Sequence, residues 1–220
     1  MRVKICGIRC RDDALAAAEL GADAVGVLVG QSHPSPDFVS APEARAILAA
    51  LPPFVSGVLV SHISDPMGLS ALINDVRPAV VQIHSPMEVD DVALLRDLHP
   101  GVTLLKAVHI NGESPLDVVR RYAAVVDGVV ADSWNPSSGQ VGGTGLPHDW
   151  TVSAAVVAQT SVPLLLAGGL NSRNVAEAIG QVKPWGVDVN SGVKGANGFQ
   201  CRERMARFIA AVRNITTPLA

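Results

Sequence analysis

The sequence predicts a closed (β/α)8 TIM barrel, and three observations carry that reading. Eight short apolar runs alternate with eight amphipathic segments of helical period. Such alternation forces parallel pairing through right-handed crossovers. The 220 residues suit one barrel domain spanning 1–220, near the low end of that fold's usual size. The main rival, an open doubly wound sheet, usually carries a glycine fingerprint after its first strand, and Cys6-Gly7-Ile8-Arg9 is no G-x-G-x-x-G.

Taken in order, each strand is short, apolar and rich in β-branched residues, and each following segment repeats its apolar residues at helical spacing. Strand Val3–Cys6 leads to helix Arg11–Leu20, and Ala24–Val29 to Pro42–Leu51. Val55–Val60 precedes Pro66–Val76, and Val80–His84 precedes Val89–Leu98. Thr103–Val108 is followed by Leu116–Val125, and Gly128–Ala131 by Thr151–Gln159. The last two units pair Pro163–Ala167 with Ser172–Val182 and Gly186–Val189 with Arg202–Arg213. Two connections are long for such a fold, Gly30–Ser40 and the glycine-rich Asp132–Asp149. Both follow strand C-termini, the face on which barrel enzymes carry lids.

Composition narrows the function classes. Hydrophobic residues are 48% and charged residues 17%, enough for a large core and opposed to disorder. The net charge of −3 has no basic stripe behind it, which argues against nucleic acid as a partner. Cys6, Cys10 and Cys201 are too few and too unevenly spaced for a disulfide framework or a zinc cluster, so no metal is expected. No signal-like segment or membrane-length apolar run is present, which points to a soluble cytoplasmic protein acting on a small molecule. Whether it is a monomer or a homodimer is left open.

The chemistry gathers at strand C-termini. Ala167-Gly168-Gly169-Leu170-Asn171 and Val189-Asn190-Ser191-Gly192-Val193 each end an apolar run in glycine and small polar residues. Backbone N–H groups exposed at such turns hold anions, and a missing Cβ lets a ligand approach. Glycine also serves plain tight turns. Two such turns in the last two units of a barrel favour a phosphate. Cys6, His84, Lys106 or His109, Asp132 and Asp188 converge on the same mouth. A thiol and a carboxyl across a phosphosugar site make an acid–base pair. Duller roles are open to both, Cys6 as a small buried hydrophobe and Asp132 as a turn residue.

Lys4-Ile5-Cys6-Gly7-Ile8, Gly21-Ala22-Asp23-Ala24-Val25-Gly26, Val80-Val81-Gln82-Ile83-His84, Gly142-Gly143-Thr144-Gly145, Ala167-Gly168-Gly169-Leu170-Asn171 and Gly186-Val187-Asp188-Val189-Asn190-Ser191-Gly192-Val193 carry a resemblance. In this order, over Met1 to about Arg213, the chain resembles the phosphoribosylanthranilate isomerase family. The resemblance implies a (β/α)8 barrel and a cofactor-free Amadori rearrangement in tryptophan biosynthesis, turning an N-linked phosphoribosyl amine into a 1-deoxyribulose phosphate. It makes Cys6 the general base that takes the proton from sugar C2, and Asp132 the general acid that protonates the ring oxygen. It assigns the phosphate to Gly142, Gly143, Gly168, Gly169, Ser191 and Gly192, and places His84, Asp37 and Asp188 in the substrate pocket, with Asp188 orienting backbone near the phosphate turn.

The chain departs from the family pattern around the amine portion of the substrate. Asp37, in Ser35-Pro36-Asp37-Phe38, stands where the family carries an arginine against the aromatic acid, and a carboxylate there would repel that acid. Leu146 replaces a common lysine, Asn190 a common serine and Lys194 a common acid. His62 stands where asparagine is frequent and has no assigned role, His33 reads as a solvated loop residue, and Cys10 and Cys201 read as packing or partly exposed thiols. Two other functions therefore stay open: an isomerase or lyase of a different phosphosugar conjugate, and a non-catalytic phosphosugar-binding module.

Overall fold

Strand β1 (Arg2–Ile5) shows how the sequence sorts itself. Successive side chains alternate faces. Val3 and Ile5 are fully buried in the outer core shared with Ala14, Ala17, Met205 and Phe208. Each such aliphatic side chain contributes roughly 1.5–3 kcal/mol by leaving water. Lys4, also 1% exposed, takes the opposite face, toward the barrel interior. The same split recurs around the molecule. Leu105, Val130, Leu165 and Ala167 form one small inner cluster, and Cys6, Val58 and Val60 form another.

The computed structural model describes residues 1–30, 35–110, 114–135, 140–141 and 149–216. After β1 come α1 (Arg11–Glu19), β2 (Ala24–Val29), α2 (Ala41–Ala49), β3 (Ser56–Ser61), α3 (Pro66–Val76), β4 (Val80–Ile83) and α4 (Val89–Leu98). Then follow β5 (Thr103–His109), α5 (Pro115–Tyr122), β6 (Gly128–Asp132), α6 (Trp150–Gln159), β7 (Leu164–Leu166), α7 (Val175–Val182), β8 (Gly186–Val189), a 3-10 turn (Ser191–Val193) and α8 (Arg202–Thr216). The eight parallel strands close into a barrel because β1 pairs with β8 as well as with β2. A two-residue antiparallel ladder, Trp134–Asn135 with Gln140–Val141, follows β6. Among the described residues no helix is long and apolar enough to cross a membrane.

Caps and turns set the boundaries. Ser40 and Glu43 form a capping box at the start of α2, and Asp65 caps α3 ahead of Pro66. Strand β3 begins at Ser56 rather than Val55, just after Phe54 turns the chain with a φ of 72°. Helix α7 begins at Val175 rather than Ser172, because Asn171 and Asn174 side chains take the backbone bonds of that turn. Cys6 and His84 lie one residue beyond their strands, yet their N–H groups still bond Val189 O at 2.8 Å and Ser61 O at 2.9 Å. The barrel's first and last elements are tied at Asp23, which accepts from Arg2, from the Val3 N–H and from Arg213 of α8.

Candidate active site

The C-terminal ends of the strands surround a cleft lined by Cys6, Asp37, His84, Asp132 and Asp188, together with Gly168, Gly169 and Ser191. Alternation explains the set: Lys4 and Cys6 share the inner face of β1, and Lys4 is the register partner of Asp188 on β8. Lys4 Nζ donates to Asp188 Oδ2 at 2.7 Å, with side chains 1% and 7% exposed. The second oxygen, Asp188 Oδ1, is buried with no hydrogen-bond partner among the described residues. Asp188 therefore pairs with a cation, where the sequence reading had it orienting backbone near an expected phosphate turn.

Both candidate reacting groups have displaced proton affinities. Burial pushes the Cys6 thiol up to about 11, with the Lys4 ammonium pulling against it and Asp188 adding to the rise. Burial and then the Asp188 charge push Asp132 up to about 7, while the Ser133 N–H, donating to Asp132 Oδ1 at 2.7 Å, opposes them. Burial alone would lower Lys4, but the charges of Asp188 and Cys6 hold its ammonium above the usual range. A buried carboxyl that stays protonated near neutrality can donate, which an ordinary aspartate cannot.

One wall is a run of rings. Phe38 meets His62 edge-on at 5.5 Å, His62 stacks on His84 at 4.9 Å, and His84 meets His109 edge-on at 5.2 Å. The Gln82 amide lies 3.3 Å from His84 Nδ1, leaving His84 Nε2 toward Asp132 at 3.8 Å and His109 at 3.5 Å. Burial and the neighbouring His109 and His62 drive His84 well below its usual range. Burial keeps the imidazole neutral, so its contact with Asp132 is weaker than an ion pair. Of the two alternatives at the end of β5, His109 joins this wall. Lys106 points outward, donating to Ser85 O and Ala107 O at 2.9 Å each, and takes no part in the cleft.

The glycine-bearing side of the cleft is built from turns. Gly168 and Gly169 take φ of 82° and 63°, a region L-residues rarely adopt. Asn174 donates to Gly169 O at 3.0 Å and Asn171 to the same oxygen at 3.4 Å, fixing the turn. The N–H groups of Gly168, Gly169, Ser191 and Gly192 bond no backbone acceptor among the described residues. Gly192 packs against the neighbouring turn, where a Cβ would come within 1.9 Å of Leu170 O. Gly142, Gly143, Leu146 and His33 lie outside the described residues.

Asp37 is not the bare anion the sequence suggested. Its carboxylate is ion-paired with Lys194 and accepts from Asn190 Nδ2 at 2.9 Å. Three departures from the family pattern thus meet in one cluster. Gln200 extends it, donating to Cys6 O at 2.6 Å and to Asn190 Oδ1 at 3.1 Å. Lys4, Gln82 and Gln200 were missed by the sequence reading. A lysine and a glutamine on the inner face of apolar strands were signals available for the first two; Gln200 gave none. Cys10 and Cys201 are half-buried and lie outside the cleft.

A family model described as N-(5'phosphoribosyl)anthranilate (PRA) isomerase matches residues 3–211. The chain belongs to that family. It is 39% identical over 214 residues to N-(5'-phosphoribosyl)anthranilate isomerase 2 of Methanosarcina mazei, covering 97% of this chain and 95% of the relative. The phosphoribosyl anthranilate isomerase structure from Thermus thermophilus superposes with a TM-score of 0.84 at 27% identity, covering 98% of this chain and 100% of that one. Another isomerase of the family, solved with reduced 1-(o-carboxyphenylamino)-1-deoxyribulose 5-phosphate, gives 0.80 at 30% identity over 97% and 99% of the two chains. Family membership makes this barrel an enzyme, an isomerase.

Proposed function

We propose that the protein isomerises N-(5'-phosphoribosyl)anthranilate to the 1-deoxyribulose 5-phosphate product in tryptophan biosynthesis, with Asp132 as general acid and Cys6 as general base. Asp132 gives its proton to the furanose oxygen, the C1–O bond breaks, and the nitrogen lone pair forms the iminium. The Cys6 thiolate takes the C2 proton, and that electron pair makes the enolamine. Protonation at C1 and loss of the O2 proton then give the ketone, so no co-reactant is consumed.

The observation that supports this best is a thiol and a carboxyl lining one cleft, both raised above their usual ranges by burial. Between about pH 7 and 11 the pair holds one proton. That proton rests mainly on sulfur, and the productive form is the tautomer carrying it on Asp132, with the thiolate beside Lys4. Main-chain N–H groups of Gly168, Gly169, Ser191 and Gly192 hold the phosphate, whose binding energy positions the sugar. The stacked rings of His84 and His62 give the aromatic amine portion a ring face.

Turnover of N-(5'-phosphoribosyl)anthranilate by the purified protein tests the reading, alongside rescue of a tryptophan auxotroph lacking this step. Cys6→Ala is expected to lose turnover by orders of magnitude while still binding the phosphosugar. Full activity in Cys6→Ala would remove the thiol as base, and no turnover by well-folded wild type would remove the substrate.

A further inference from the structure

The ammonium of Lys4 and the thiol of Cys6 meet over Gly26 of β2. A Cβ at Gly26 would fall 2.9 Å from Cys6 Sγ and 3.1 Å from Lys4 Nζ, so the two heads share one small space that glycine leaves open. On the other side the same ammonium is 2.7 Å from Asp188 Oδ2, in a pair removed almost entirely from water. Asp188 lines the cleft with Asp132, and its Oδ1 has no partner among the described residues. A buried ion pair adds little stability over apolar side chains of similar volume, so stability alone does not account for this one. Around the thiol stand Lys4 from β1, Asp188 from β8, Asp132 from β6, His84 from the end of β4 and His62 from the end of β3, with His109 behind His84.

We propose that the Lys4–Asp188 pair is a positioning device that divides charge between the reacting groups, its cationic end favouring the Cys6 thiolate and its anionic end keeping Asp132 protonated. Neither residue transfers a proton; each acts through its neighbour. Without the pair the buried thiol would hold its proton and the carboxyl would release its proton at lower pH; with it the two become a coupled base and acid. The directions of displacement agree: Lys4 draws the thiol down, and Asp188 draws both Cys6 and Asp132 up. The inference rests on the isomerase reading for its use, while the charge division itself is measurable without turnover.

The test is the rate of Cys6 alkylation by iodoacetamide on the full-length protein across pH, read at the Cys6 peptide by mass spectrometry to separate Cys10 and Cys201. The reagent reports thiolate, whose fraction changes about tenfold per pKa unit. In Lys4→Met the Cys6 rate near neutrality should fall about tenfold or more. In Asp188→Asn it should rise, since the thiolate becomes the closest counter-charge for Lys4. In the same variant the acid limb of kcat/KM should move to lower pH as Asp132 loses its anionic neighbour. Unchanged alkylation profiles in the folded variants would overturn the proposal. If Lys4→Met does not fold, Asp188→Asn decides alone: an unchanged or slower Cys6 rate refutes. Shifted alkylation in a protein without isomerase turnover would uphold the charge division and refute the function.

Discussion

Lys194 and Asp37 form an ion pair across the mouth of the barrel, joining the turn after β8 to the loop after β2. Their side chains are 19% and 9% exposed, so the contact is shielded enough to matter. Like charges placed there at about 4 Å repel by roughly 4 kcal/mol at an effective dielectric near 20. Asp37→Arg alone, the substitution that matches the family pattern, should therefore lower Tm and reduce kcat/KM about tenfold or more. Adding Lys194→Glu should recover both. Improved activity in Asp37→Arg by itself would show that the cluster does not form.

The rate should follow a bell in pH. Below about 7 both Asp132 and Cys6 are protonated and no base exists; above about 11 both are ionised and no acid exists. Activity is expected to rise through the first value and fall toward the second. An acid limb near 4 would mean that Asp132 titrates as an ordinary carboxyl and is not kept as a donor.

Asp132 also makes the protein trade stability for function. Its affinity is raised in the fold from 3.8 to about 7, so the folded state binds the extra proton. The fold is then favoured at low pH and loses stability as pH rises through that window, by about 4 kcal/mol in all. Asp132→Asn should abolish turnover yet raise the unfolding free energy at pH 8 by a few kcal/mol, with little change at pH 4. Equal effects at both pH values in denaturant titrations would contradict the displacement.

Gly26→Ala pushes a methyl group between Cys6 Sγ and Lys4 Nζ. The expected signature is a fall in kcat of about tenfold or more with KM nearly unchanged, because the phosphate turns lie elsewhere. An equivalent rise in KM would place the damage in substrate binding instead.

Gly168→Ala addresses the phosphate turns. A Cβ there would come within 2.8 Å of the Ser133 backbone nitrogen, at a φ of 82°. KM for the phosphorylated substrate and the inhibition constant of inorganic phosphate should both rise about tenfold, reflecting a distorted cradle. Gly101→Ala, where a Cβ meets nothing within 4 Å, serves as the control and should change neither.

The barrel was legible because strand–helix alternation and inward–outward patterning are local properties. Boundaries slipped where side chains intervened, as Asn171 and Asn174 delayed α7 and Phe54 moved the start of β3. The cleft set of Cys6, His84, Asp132, Asp188, Gly168 and Ser191 was also readable, since residues at strand C-termini must converge when a barrel closes. What the individual groups touch was not. Lys106 and His109 end the same strand, and pleating sends one outward and the other to the mouth.

By itself, then, the order of residues determined eight strand–helix units and the chemical types gathered at the mouth. Only the tertiary structure decided the charges that act there. Lys4 and Asp188 are 184 positions apart, and Asp37 and Lys194 are 157 apart. Electrostatic energy depends on separation in space and on exclusion of water, and neither exists until β8 closes against β1. An aspartate that looked repulsive became a neutralised partner, and a lysine hidden in an apolar strand became the neighbour of the thiol.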